Sequence, residues 1–578
     1  MESLIDKKDL RFYKRMIILI ILLVISLSYL VYDKSVSYTR YERIDFQSSN
    51  AILYANLYFP SKSLEFQDKR PLLIYCHGIG SQRDFDLRIP IEFSKRGFYV
   101  AALDYQGHGE SGGNILDVDP ITNKPALAQD CSNLLDKLET LPFYSNVNIS
   151  QIGLIGHSLG GFVVLMNQAL DPRFNITVVW APLVNFDPNQ IRVIQPGYEQ
   201  YIPVNLLNKT NTNNLLVIMH IDDEVLDYAD QALVAQNLTD CAVIPITGPL
   251  IGGGHQLFSD VVIVESIKWF ELNFFNSSTL NGPINITFIV NYIILLITLI
   301  LLVFIVLSLI SYTSKYIPYK KEVSRIETVG KQTMLLKIKD KAITIKQILK
   351  IVFYTTIFLL NWEIFERVFG FVGIFLASLN ITVIYFTVKI ILYLRELRKD
   401  EVKFDLNQII TLIKSEFQLK YLIYAIVCNF YFIAIYVIFS FSYPFAFMWT
   451  SNFFNTVIAA AVSFPVYFSL ELLYRKAIYP QLSFLKEERK KTIWMVIIVV
   501  FVNINLMMLT WTWAFFPSVI FMYLILLYAI IQNTIIYENT QRFSAVILSS
   551  FILIQIFFGA VVSNALGIGS ALNLFVQF

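Results

Sequence analysis

The run Gly156-His157-Ser158-Leu159-Gly160-Gly161 sets one serine hydroxyl among small neighbours, directly after the apolar segment 152–155 and ahead of the apolar segment 162–170. Glycines at that spacing permit a tight turn from strand to helix, which lifts the Ser158 hydroxyl above its strand. The N–H groups at the start of the following helix then face whatever the serine attacks. Such a turn serves nucleophilic attack on a carbonyl, with the developing oxyanion held by backbone donors. A serine nucleophile needs a base. The five histidines, His77, His108, His157, His220 and His255, all fall between residues 77 and 255. Acid–base chemistry near neutral pH is therefore expected in that segment.

Other chemistries find little support. Cys76, Cys131, Cys241 and Cys428 have no metal-site spacing and lack the density of a disulfide scaffold, so they read as buried or unpaired thiols. Neither a metal nor a cofactor is expected. The formal net charge is +2, which offers no footprint for nucleic acid. The expected partners are a small-molecule or lipid substrate and a membrane; the oligomeric state stays open.

The elements that must carry Ser158 are short. Apolar runs at 72–76, 99–103, 152–155, 177–180, 215–219 and 243–246 alternate with amphipathic stretches of helical length. Buried strands separated by helices indicate βαβ units and a mostly parallel sheet. The organisation expected is a cytoplasmic N-terminus and first apolar helix over 1–32, an extracytoplasmic α/β domain over 33–283, and a helical membrane bundle over 284–578.

Residues about 70–270 resemble the α/β-hydrolase superfamily, especially its monoacylglycerol-lipase-like and serine-aminopeptidase-like members. The matching motifs come in the family's order. His77-Gly78-Ile79-Gly80 resembles the oxyanion loop, Asp104-Tyr105-Gln106-Gly107-His108-Gly109-Glu110-Ser111 the D-x-x-G-x-G-x-S turn, and 156–161 the nucleophile elbow. The resemblance implies Ser158 as nucleophile, His255 in Gly252-Gly253-Gly254-His255 as base, and an acid in His220-Ile221-Asp222-Asp223-Glu224-Val225. Ile221 stands where the family has glycine and the loop is one residue short; alignment on Asp-Glu-Val favours Asp223, with Asp222 as the alternative. Backbone N–H groups of Ile79 and Leu159 are the implied oxyanion donors. The remaining histidines, in turns or at a strand end, read as structural hydrogen-bonders. The apolar, aromatic segment between 180 and 215 is either a roof over an acyl pocket or an ordinary packed loop.

An apolar content of 55% with 16% charged residues exceeds that of soluble proteins, about 45–50% and about 25%. The excess lies in runs near 16–32, 287–312, 348–362, 369–394, 421–445, 456–474, 493–515, 518–537 and 544–566, about nine spans in total. The first run fits an uncleaved signal anchor better than a cleaved signal peptide. Lys and Arg crowd into 313–347, 395–420 and 475–492 and are nearly absent from the opposite loops, which places the N-terminus inside and the C-terminus outside. Segment 404–420 has helical apolar spacing and either lies flat on the inner surface or extends the next span. Sequons at Asn148, Asn175, Asn208, Asn237 and Asn276 fit an exterior domain. Glu471 and Arg475 resemble part of the E-E-x-x-x-R signature of CAAX-processing-like proteases. Leu470 replaces the first Glu and no histidine is near, so an i,i+4 ion pair at the cytoplasmic boundary is the better reading.

These features lead to a membrane-bound serine hydrolase cleaving carboxylic esters of lipid-like or other hydrophobic acyl substrates. A peptidase of the serine-aminopeptidase type, and a transporter or receptor with a non-catalytic outer domain, are the alternatives.

Overall fold

A computed structural model describes residues 7–60, 69–84, 86–250, 253–277, 283–314, 333–399, 410, 414, 416–442, 453–485, 488–509 and 517–557. Its centre is an eight-stranded sheet of order β1-β2-β4-β3-β5-β6-β7-β8. The strands are β1 (Tyr38–Ser48), β2 (Ala51–Pro60), β3 (Arg70–Cys76), β4 (Tyr99–Asp104), β5 (Val147–His157), β6 (Ile176–Trp180), β7 (Leu215–His220) and β8 (Ala242–Ile246). From β4 onward in that order all pairs are parallel, and β2 joins β4 antiparallel.

The six parallel strands coincide with the six apolar runs, and all but the edge strand β8 have their apolar run buried on both faces. Leu72 to Cys76 and Leu216 to Met219 are wholly enclosed. Burying one such aliphatic side chain is worth about 1.5–3 kcal/mol, so these strands need no alternation to declare themselves. The β1–β2 hairpin was not anticipated. It pairs Tyr41 with Tyr58 and Phe46 with Leu53 around a turn at Ser49, and it carries the sheet outward past β4.

Helices cover the sheet between strands: α1 (Lys7–Ser37) leads into β1, α2 (Arg88–Lys95) joins β3 to β4, and α3 (Asp130–Glu139) precedes β5. They are followed by α4 (Leu159–Leu170), the short α5 (Pro203–Leu206) and α6 (Val234–Thr239), and α7 (Asp260–Phe275). The segment after β6 packs inward, with Val184, Val193, Ile194 and Ile202 buried and Phe186 edge-on to Phe162 of α4.

The sheet domain rests on two long apolar helices, α1 and α8 (Phe288–Thr313). Asn291 of α8 donates to Asp33 of α1 at 3.0 Å, Lys95 of α2 lies 3.8 Å from the same carboxylate, and Thr287 donates its N–H to Glu92 of α2 at 2.9 Å. Phe12 stacks on Tyr312 at the far end of the pair.

Among the described residues, four helical segments are long and apolar enough to cross a membrane: Leu10–Asp33, Phe288–Thr313, Ile345–Phe369 and Val372–Arg395. A pair bent by 52°, Thr456–Val462 with Phe464–Phe484, would make a fifth. The expectation of about nine is therefore not reached. The other expected spans are helical over Leu419–Ser442, Glu488–Leu509, Pro517–Thr540 and Phe543–Phe557, and the ranges read for three of them, near 421–445, 493–515 and 544–566, run into residues outside the described set. The basic residues of 315–332 and most of segment 404–420 also lie outside it. The helical run Thr333–Lys399 folds back on itself, since Asn361 donates to the Ala377 carbonyl at 3.0 Å.

Glu471 and Arg475 do pair, at 2.9 Å, and they do so among packed helices: Arg475 is fully buried and also donates to Thr534 at 2.9 Å, while Asn533 donates to Glu471 at 2.9 Å. A buried pair endures only when its remaining donors and acceptors are satisfied, and these neighbours do that.

Candidate active site

Ser158 sits between β5 and α4 with φ 54° and ψ −118°, a conformation that costs a non-glycine residue about 1–3 kcal/mol. The surroundings hold it there. Its N–H donates to the Trp180 carbonyl at the end of β6 at 2.9 Å, and its carbonyl accepts from Phe162 in α4 at 3.2 Å. Gly160 explains how α4 can start so close to the sheet. A Cβ there would fall 2.2 Å from the Cys76 carbonyl oxygen and 2.4 Å from that of His77.

His255 stands on the loop between β8 and α7, and its Nε2 is 3.0 Å from Ser158 Oγ. Its Nδ1 lies 3.0 and 2.9 Å from the two oxygens of Asp223, on the loop after β7. Asp223 also accepts the N–H groups of Val225 at 2.8 Å and Leu226 at 2.9 Å. Burial alone would raise the Asp223 carboxyl. The His255 hydrogen bonds and charge, with those two amides, outweigh it and hold the group below the usual carboxylate range. Asp222, the alternative acid, has an exposed side chain.

The two implied oxyanion donors border the same hydroxyl. Gly78 comes so close that a Cβ on it would lie 3.5 Å from Ser158 Cβ, and Ile79 follows directly on that loop with an exposed side chain. Leu159 opens α4, so its N–H has no acceptor within the helix.

The histidine loop is fixed from several sides. Glu224 accepts the N–H of Gly254 at 2.8 Å and of His255 at 3.3 Å. His157 Nε2–H donates to the His255 carbonyl at 2.9 Å. Arg88 of α2 donates to the carbonyls of Leu257 at 2.9 Å and Gln256 at 3.3 Å, and is itself gripped by Asp86. Next along, Phe258 meets Phe288 and Tyr292 of α8 edge-on, at 5.0 and 6.0 Å between ring centres. Sequence reasoning missed Arg88, Asp86 and Glu224. The loop partners of Glu224 and Arg88 are 30 to 169 positions away, and no local pattern announces such a contact.

The other histidines have structural work. His157 and His108 are both pushed down to about 3, first by burial and then by a neighbouring imidazole, so both are neutral at ordinary pH. His220 Nε2 donates to the Gly248 carbonyl at 2.7 Å and its Nδ1 accepts from the Asp222 N–H at 3.0 Å. His77 donates from Nδ1 to the Gly78 carbonyl at 2.8 Å. In the D-x-x-G-x-G-x-S turn, Asp104 is held at about 2: burial opposes this, but the charge of Arg83, with His77, prevails. Glu110 of the same turn bridges Arg83 and Arg43. Among the described residues no cluster of His, Cys, Asp or Glu is arranged to hold a metal ion.

A mostly parallel sheet with a serine at a strained elbow, a histidine after the last strand and an acidic loop before it defines an α/β-hydrolase domain, and this chain carries one. Residues 67–241 match the family described as serine aminopeptidase, S33. Platelet-activating factor acetylhydrolase of Cavia porcellus is 25% identical over 173 residues, 23% of this chain and 40% of that protein. A Mycoplasma pneumoniae protein that carries the name esterase/lipase 2 is 26% identical over 159 residues, 27% of this chain and 52% of its own length. The chain thus spans about half or less of these relatives. Among solved structures, the carboxylesterase Cest-2923 from Lactobacillus plantarum is similar with a TM-score of 0.33 at 16% identity, covering 40% of this chain and 97% of that one.

Proposed function

We propose that the chain is a membrane-bound serine hydrolase that cleaves carboxylic esters of lipid-like or other hydrophobic acyl substrates. The observation that carries this reading is the hydrogen-bonded series from Ser158 Oγ through His255 to Asp223. His255 takes the Ser158 proton as the oxygen attacks the carbonyl, and returns it to the leaving alcohol when the tetrahedral intermediate collapses. Asp223 keeps the His255 proton on Nδ1, so that Nε2 is free to act, and stabilises the imidazolium. The N–H groups of Ile79 and Leu159 stabilise the oxyanion, each worth about 100–1,000-fold in rate. Water, activated by the same imidazole, then releases the acid from Ser158.

Two features favour an apolar ester. The loops bearing the proposed oxyanion donor and acid expose Ile79, Ile221 and Val225, which gives them apolar surface beside the nucleophile. The relatives' names, acetylhydrolase and esterase/lipase, are those of ester-cleaving proteins. Amide cleavage is the second reading, favoured by the serine-aminopeptidase description of the matching family. The long apolar helices support a membrane setting, and the crowding of Lys and Arg into 313–347, 395–420 and 475–492 favours a hydrolase domain on the side away from those loops.

Fluorophosphonate labelling of the full-length protein, against Ser158→Ala, tests the chemistry: labelling confined to the unmutated chain is expected, and equal labelling would refute it. A panel of acyl esters and aminoacyl amides compared by kcat/KM then separates the two readings. Turnover of amides alone would reverse the preference.

A further inference from the structure

The helical bundle holds a cavity of about 650 Å³ with aromatic and aliphatic walls, among them Tyr385, Phe464, Phe468 and Phe551. Its size falls within the range of about 300–1,000 Å³ typical of small-molecule sites. Lys476 lines its wall 3.8 Å from Glu416. Glu416 is already engaged, since it also accepts the Phe543 N–H at 2.9 Å. Two more cations stand next to wall residues: the Lys389 ammonium lies 5.8 Å from the ring centre of Tyr385, and Arg542 directly precedes Phe543. Arg542 faces the ring of Tyr421, yet its buried Nε has no hydrogen-bond partner. Three cations thus stand along the wall of a greasy slot that carries one carboxylate, Glu416. Basic pockets between membrane helices are the form that recognition of anionic lipid headgroups takes.

We propose that this cavity binds an anionic amphiphile, its acyl chain along the aromatic wall and its headgroup among Lys389, Lys476 and Arg542. The site is separate from Ser158 and does not depend on the hydrolase reading. Two sources share the chemistry: a free fatty acid and an anionic phospholipid.

The test uses the full-length protein in phosphatidylcholine nanodiscs and three probes carrying the same photoreactive acyl chain: a fatty acid, a phosphatidylglycerol and a phosphatidylcholine. After irradiation, labelling is read on peptides covering residues 464–476 and 543–551. Labelling by an anionic probe well above that by phosphatidylcholine is expected, and whichever anionic probe dominates names the source. Lys476→Gln should reduce it about fivefold, and Lys476→Gln with Arg542→Gln about 25-fold, from the usual contribution of a cation near a lipid surface. Ile547→Trp, which fills the slot without changing charge, should reduce all labelling there and serves if the charge variants do not fold. Equal labelling by the three probes, or labelling indifferent to the charge and slot-filling variants, would overturn the proposal.

Discussion

Asp223 meets His255 with both carboxylate oxygens, 2.9 and 3.0 Å from Nδ1, while its sequence neighbour Asp222 faces outward. Adjacent carboxylates thus have opposite environments. Asp223→Asn is expected to lower kcat for an ester substrate about 10,000-fold, because an amide no longer enforces the reactive tautomer. Asp222→Asn should leave kcat nearly unchanged. Steady-state kinetics on the two variants decide between them, and a reversed order would move the acid to 222.

Glu224 touches no reacting atom in this arrangement, but it accepts the amides of Gly254 and His255. Hydrogen bonds to a charged group are worth about 1.5–3 kcal/mol, so Glu224→Ala should cost roughly 10- to 100-fold in kcat with little change in KM. Glu224→Gln, which keeps an acceptor oxygen, should recover most of that loss. Equal impairment of the two variants would argue for the charge rather than the positioning.

Arg88 and Asp86 form a buried pair whose other donors reach the carbonyls after His255. Removing one partner of such a pair typically destabilises by about 3–5 kcal/mol, because the remaining charge is left uncompensated. Arg88→Met should lower the denaturation midpoint of the purified protein sharply. Arg88→Met combined with Asp86→Leu should recover much of the loss, though not the support of the His255 loop, so stability returns further than kcat. Additive losses in the double variant would contradict the pairing.

Acid should unfold the hydrolase domain from well above the carboxylate range. An unfolded histidine titrates near 6.5, whereas His108 and His157 are held at about 3 when folded. Between those values the unfolded chain binds up to two more protons, and stability falls as the pH falls. Asp130 acts in the opposite sense. Burial pushes its folded carboxyl up to about 6 from 3.8, against hydrogen bonds from Gln106 and Ser48, so acidification through that window favours the folded state. Two protons against one leaves a net of one, a slope of about 1.4 kcal/mol per pH unit. Denaturant midpoints measured from pH 7 to 4 should decline steadily; a flat profile would mean these imidazoles are accessible.

The sequence was most readable where burial is symmetrical. Strands β3 to β8 each contain a short apolar run, and the Ser158 turn has small residues on both sides, so position and role could be read together. The β1–β2 hairpin was missed although Ile44 and Phe46 alternate with charged residues. Its first strand lies at the sheet edge, and Tyr, Arg and Glu side chains give β1 the look of a connecting segment. Glu224 was visible only as an alignment anchor for its neighbour. Its task depends on a loop thirty positions on, a distance set by the return of the chain from β7 to β8. Hydropathy marks the expected spans by length and greasiness but does not show where a helix bends, as it does between Val462 and Phe464.

The seating of α8 against α2 and Phe258 joins the sheet domain directly to the first helix that follows it. A hydrolase hung on a slack stalk would lack such contacts; this one is tied to α8 through Glu92 and Tyr292, and Asn291 ties α8 to α1. Excising the sheet at residue 283 would strip the aromatic cover from the segment beside the imidazole, so kinetics of the cut-out piece would describe a different catalyst.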